Sequence, residues 1–205
     1  MIEKSKSYDM SGSCGAAAGA SGAHSGVAPF DRALLMRRRQ RVAKTAADHD
    51  FLLHRVAEDL SDRLSLITRT FPLAANIGAH HGVLSRRLRQ LDSVGRMIDV
   101  EPVAELLAAC DGPHVLADEE ALPFAAESLD LAVSGLALQH VNDLPGTLVQ
   151  IRRALKPDGL FLASMLGGGT LAELGAVWLA AEAELTGGAS PRVAPAIDLR
   201  DLGAL

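Results

Sequence analysis

Apolar positions recur along this chain with two different rhythms, and the alternation between them predicts the fold. From about Asp50 to Arg69, Leu52, Val56, Leu60, Leu64 and Ile67 recur at spacings of three and four, predicting one amphipathic helix with Pro72 as its stop. Short apolar runs then alternate with helix-period segments. Leu73 to Ile77, Arg96 to Val100, His114 to Ala117, Ser128 to Ser134 and Leu160 to Leu166 read as five strands. Val83 to Leu91, Pro102 to Cys110 and Leu144 to Leu155 read as helices, the second opening with proline in its first turn. Pro157-Asp158-Gly159 reads as the turn into the fifth strand. Thr170 and Glu173 form a capping box for a last helix, with Leu171, Leu174, Trp178, Ala181 and Leu185 inward and Gly187-Gly188 as its end. Strands with few polar positions, alternating with helices, predict an α/β architecture. It is a doubly wound, mainly parallel sheet of about five strands, with helices on both faces and N-terminal helices before it.

Composition adds a boundary. Between Ser11 and Ala28, 15 of 18 positions are Gly, Ala or Ser, too small to bury much apolar area, so residues 1–28 read as a flexible tail and 29–205 as one domain. With 48% hydrophobic and 22% charged residues, the chain falls outside the disordered class. A net charge of −5 argues against general electrostatic binding of nucleic acid, and no apolar run approaches the length of a membrane span. Two cysteines, Cys14 and Cys110, make no disulfide framework, which points to the cytoplasm. The basic stretch from Phe30 to Lys44 carries Arg37, Arg38, Arg39, Arg41 and Lys44 without interleaved aromatics, so it reads as a solvated helix face.

Sheets of this type bind ligands outside the carboxyl ends of the strands, where strand order reverses. The first strand runs into Asn76-Ile77-Gly78-Ala79-His80-His81-Gly82, whose glycines allow a sharp turn and close approach of backbone to a ligand. Asp99 lies 21 residues beyond Gly78, the offset of an acid that accepts from ribose hydroxyls, and Asp118 follows the third strand, where a carboxylate accepts from an adenine amine. Each acid also has a plainer reading: Asp99 as a helix cap, Asp118 as turn chemistry. Together with the glycine loop they favour a nucleotide site.

Four further segments carry a resemblance: Asp118-Glu119-Glu120-Ala121-Leu122-Pro123-Phe124, Leu129-Asp130-Leu131, Val141-Asn142-Asp143-Leu144-Pro145-Gly146 and Leu155-Lys156-Pro157-Asp158-Gly159-Leu160-Phe161. They resemble the class I S-adenosylmethionine-dependent methyltransferases, Rossmann-like enzymes of the methyltransferase type 11 kind. Gly168 to Leu174 and Gly187 to Val193 narrow the likeness to the mitochondrial complex I assembly-factor branch and its bacterial homologues. A more distant similarity is to the biotin-pathway enzyme that methylates a malonyl thioester. The resemblance implies S-adenosylmethionine as cofactor, with Asn76, Gly78, Ala79 and Gly82 at its methionine end, Asp99 on the ribose, and Asp118 and Glu119 flanking the adenine. In-line methyl transfer needs alignment more than acid–base help, so no catalytic residues are assigned. A sulfonium also favours a site without nearby Arg or Lys.

Gln139, His140 and Arg192 are the candidates for contact with an acceptor whose identity, small molecule or protein, stays open. His140 could act as a base or serve as packing, and Arg192 could meet an acidic substrate or hold its own loop. Asn142 or Asp143 caps the following helix. Cys110 and Trp178 read as core. Three departures from the family stand out: Asn76 replaces the usual acid, His80 replaces the middle glycine of the loop, and the chain stops before the family's last strand pair. His80 and His81 point apart as neighbours, so no metal site is expected. The uncovered fifth strand leads us to expect a fragment or a homodimer through that edge. On the branch resemblance, arginine hydroxylation or a non-catalytic assembly role for respiratory complex I stands as the alternative to methylation.

Overall fold

The computed structural model describes residues 28–188, 190 and 192–205, so the tail predicted for 1–28 lies outside the described residues except for Ala28. Five strands form one sheet: β1 (Phe71–Ile77), β2 (Val94–Glu101), β3 (His114–Leu116), β4 (Leu129–Gly135) and β5 (Leu155–Ser164). All neighbours are parallel, in the order β3-β2-β1-β4-β5. Strand order therefore reverses between β1 and β4, and the crevice above their carboxyl ends is where such a sheet takes ligands. The helices are α1 (Arg32–Val42), α2 (Phe51–Ser65), α3 (Val83–Leu88), α4 (Ala104–Leu107), α5 (Leu144–Ala154), α6 (Ala172–Thr186) and α7 (Leu199–Leu202), with 3-10 turns at Ala43–Asp48 and Leu138–His140.

Alternation along the strands divides the core between the two faces of the sheet. Leu131 and Val133 of β4 join Phe71 and Met97 under Leu60, Leu64, Leu84 and Leu88 of α2 and α3. Ala132, one residue out of phase, joins Ile77 on the other face under Leu144 and Ile151 of α5. Both faces are thus covered by helices, as the apolar strands predict. No helix among the described residues is long and apolar enough to cross a membrane.

Several boundaries differ from the sequence expectation. Helix α2 buries Leu53, Ala57, Leu60 and Leu64, while Leu52 is exposed. The stripe was read one residue out of phase at its first turn. Pro72 does not stop a helix; it stands, exposed, near the start of β1, where the ladder tolerates a missing N–H. Helix α4 is a single turn, and Cys110 follows it as a buried residue rather than riding on it. Pro157-Asp158-Gly159 lies within β5, at an irregularity where Asp158 takes a left-handed φ of 63°. The largest correction concerns α6. No side chain caps its N-terminus, it buries no residue, and Trp178 and Leu185 are 44% and 84% exposed. An apolar stripe declares that a face wants cover, not that a described element supplies it.

Candidate active site

The β1–α3 loop turns on two left-handed glycines, Gly78 at φ 69° and Gly82 at φ 82°. A side chain at Gly78 would overlap Ala137, so the loop after β4 closes directly onto it. Ala79 is buried against Leu107 and Cys110, and its N–H donates to the Val100 carbonyl, tying the loop to β2. His80 also takes a left-handed φ of 52°, which places its imidazole across the crevice. Its Nε2 lies 3.1 Å from the Gly135 carbonyl oxygen and its Nδ1 3.2 Å from Arg39 Nη2. Burial, reinforced by Arg39, pushes its pKa down to about 4. His81 turns the opposite way, to Asp50 Oδ2 at 2.9 Å, so the two imidazoles diverge.

Asp99 is engaged by the protein's own side chains. It pairs in register with Asn76 and is wholly buried beneath the loop. Its carboxylate accepts from Ser85 Oγ, from Asn76 Nδ2 at 3.1 Å and from Arg89 at 2.8 Å, three side-chain donors that tie β1, α3 and the segment after it to β2. The residue at the carboxyl end of β2 is Glu101, two positions on and on the same face of the sheet. Glu101 is fully buried and accepts from the His80 N–H at 2.8 Å, the Val103 N–H at 3.0 Å and Arg39 at 2.8 Å. Burial raises its pKa to about 6, against the pull of Arg39. Sequence reading missed Glu101. The available signal was Pro102, since a proline directly after an acid marks that acid as the last strand residue.

Asp118 and Glu119, after β3, do converge on the crevice. Glu119 is buried, and its Oε1 would lie 3.2 Å from a side-chain carbon placed on Gly78. Both acids are occupied by α1: Arg32 Nη2 stands 2.6 Å from Asp118 Oδ1 and 2.6 Å from Glu119 Oε2. Arg39 Nη1 lies 3.8 Å from Glu119 Oε1. The stretch read as a solvated basic face is therefore divided. Arg37, Arg38 and Arg41 are exposed, while Arg32 and Arg39 turn inward.

Beyond β4, Gln139 donates back to the Leu136 carbonyl at 2.8 Å. His140 meets the ring of Phe30 edge-on, and burial followed by repulsion from Arg39 and Arg32 lowers its pKa. Asn142 binds the Phe30 backbone through both ends of its amide. Asp143 caps α5, accepting from the Gly146 N–H at 2.9 Å. Arg192 is engaged within its own segment, 2.6 Å from Glu182 and over the Trp178 ring, and so holds its own loop. Cys110 is buried, and its thiol is pushed up to about 12 by that burial and by Asp99 and Glu101. One cavity of about 300 Å³ adjoins the crevice, between α1, the start of α2 and the β1–α3 loop, with Arg39, His80, His81, Leu53 and Leu136 among its walls. The larger space of about 1030 Å³ lies elsewhere, between α2, the end of β5 and α7.

The methyltransferase domain family matches residues 75–163, the stretch from β1 to β5. The chain is 39% identical over 183 residues to the rat protein named Arginine-hydroxylase NDUFAF5, mitochondrial, a match covering 86% of this chain and 53% of that one. It is 35% identical over 189 residues to the malonyl-[acyl-carrier protein] O-methyltransferase of a Methylovorus strain, covering 85% of this chain and 62% of that one. A SAM-dependent methyltransferase from Thermotoga maritima shares the fold, with a TM-score of 0.58 over 80% of this chain and 75% of that one at 18% identity. The chain spans about half the length of the curated relatives it matches.

Proposed function

Because this chain belongs to the class I S-adenosylmethionine-dependent methyltransferase family, on the branch of the mitochondrial NDUFAF5 proteins, we propose that it binds S-adenosylmethionine in the β1–β4 crevice and methylates an acceptor. One observation carries this reading: the buried Glu101 carboxylate at the end of β2, fixed by the N–H of His80 in the glycine loop. A vicinal diol wants a carboxylate that can accept twice, and an acceptor anchored to the loop brings ribose and loop together.

The donor set suits the cofactor. Gly78 and Gly82 offer a bare backbone turn for the methionine end, Glu101 is our candidate acceptor for the ribose, and Asp118 and Glu119 are our candidate acceptors for the adenine amine. Asn76 and Asp99 act below the loop, as its support. The space is a separate matter: Ala137, His80 and Arg39 fill the part of the crevice nearest Gly78. The residues fit the cofactor once the α1 arginines, His80 and the loop carrying Ala137 move off Gly78. When bound, the sulfonium supplies an activated methyl group. This chain's residues bind and align it and exclude water, and the 300 Å³ cavity beside His80 supports an acceptor position there.

Isothermal titration with S-adenosylmethionine tests the reading. Binding that Glu101→Ala weakens at least tenfold supports it, and no heat at millimolar ligand overturns it. Hydroxylation is the second reading, consistent with the arginine-hydroxylase name of relatives whose match covers 86% of this chain and 53% of theirs. Mass analysis of a candidate subunit after incubation separates the two, as a gained methyl group against a gained oxygen. A cytoplasmic location and a homodimer through the edge of β5, which pairs with no further strand among the described residues, complete the proposal, and light scattering reads the second.

A further inference from the structure

Helix α1 lies over the crevice without fully burying any side chain. Arg32 and Arg39, seven residues apart and hence on one side of the helix, keep only 13% and 17% of their side chains exposed. Between them they occupy Asp118, Glu119 and Glu101. Arg39 also holds His80 in place across the crevice. The Phe30 backbone to the Asn142 amide and Gln40 to Glu105 add further polar ties, while apolar contact among the described residues is limited to the edge-on Phe30–His140 pair and the half-buried Leu34, Leu35 and Met36. Fully buried apolar side chains anchor most short helices; α1 has none, and its deepest contacts are the ion pairs of Arg32 and Arg39. Such a contact yields to any group that satisfies the same acids, whereas a buried apolar face yields only to unfolding.

We propose that α1 is a latch: Arg32 and Arg39 hold the acids of the ligand-free crevice, and the nucleoside of S-adenosylmethionine displaces them. The inference rests on the cofactor reading above and adds its trigger. With α1 engaged, the competent state is a minor one, and apparent affinity is reduced by its fraction. A released α1 of eleven residues is too short to stay helical alone, so its amides should exchange freely.

The experiment is hydrogen exchange over residues 32–42, with and without S-adenosylhomocysteine, which keeps both ends of the cofactor and has no methyl to transfer. Exchange should accelerate on ligand binding, and in Arg32→Gln/Arg39→Gln without ligand. Arg39→Gln alone should bind about tenfold more tightly than the unsubstituted chain, within the usual range of coupling between sites. Should the double variant fail to fold, unsubstituted protein at molar KCl supplies the same comparison, because screening weakens the pairs. Protection of α1 that ligand or substitution leaves unchanged overturns the latch. A freed α1 with no ligand heat in any of these proteins overturns the cofactor reading instead, and removes the trigger with it.

Discussion

Asn76 and Asp99 face each other in register on β1 and β2, and the Asn76 amide donates to the Asp99 carboxylate at 3.1 Å. Ser85 adds a hydroxyl from α3 and Arg89 a guanidinium at 2.8 Å, making one polar knot beneath the glycine loop. Asp99→Ala should therefore act on stability, at a cost of about 3 kcal/mol, because it strands Arg89 and removes an acceptor from two buried donors. Urea unfolding reads this. Affinity for S-adenosylmethionine, measured well below the unfolding temperature, should stay within about threefold, less than one charged hydrogen bond supplies. A larger loss of binding with intact stability would return Asp99 to the ligand.

Glu101→Ala should do the reverse. It removes the one carboxylate anchored to both the loop and the end of β2, and binding of S-adenosylmethionine should weaken by about 1.5–3 kcal/mol, the worth of charged hydrogen bonds. Calorimetry on the two variants side by side separates support from contact. Equal affinities in the two would show that neither acid meets the ribose.

The contrast between these two acids shows how much of the site was legible. Strand–helix alternation and apolar runs placed β1 to β4 within a few residues, since burial on both faces leaves a clear sequence pattern. Chain order singles out Asp118 and the glycine loop, and only the family resemblance singles out Glu119; the structure brings the three to one crevice. Asp99 and Glu101 share a face of β2, so periodicity cannot choose between them. Glu101 is the strand's last residue, and strand ends are the weakest signal in a sequence. Arg32 and Arg39 were hidden for another reason: their partners lie 62 to 87 residues away, beyond any local pattern.

Two crevice groups are shifted in opposite senses and make opposing contributions to the pH dependence of stability. The carboxyl of Glu101, normally near 4.5, is raised to about 6, so the folded state takes up its proton first and gains stability as pH falls through that window. His80, normally near 6.5, is lowered to about 4, so the unfolded state takes up its proton first and stability is lost across that wider window. At about 1.4 kcal/mol per pKa unit, His80 removes about 3 kcal/mol by pH 4 and Glu101 returns about 2. Glu101→Gln should therefore lose stability more steeply on acidification than the unsubstituted chain, and His80→Gln less steeply. Urea midpoints across this range check the order of the three; identical slopes would contradict it.

Gly78→Ala tests the closure of the crevice itself. The residue sits at φ 69°, where a side chain costs about 1–2 kcal/mol. The added methyl would overlap the Ala137 side chain and press on Glu119 Oε1 at 3.2 Å. The loop after β4 must then retreat and loosen the Glu119 pair with Arg32, so the total cost should reach about 3 kcal/mol, in the range of overpacked sites. Gly82→Ala is the control. Its φ of 82° carries the same strain, but its methyl meets Cys110 at 3.3 Å, a contact that a small shift relieves. It should cost about half as much, mainly the left-handed backbone term. Urea unfolding of the pair decides: if Gly78→Ala is no more harmful than Gly82→Ala, the β4 loop does not close on Gly78 in solution, and the crevice stands open for the cofactor.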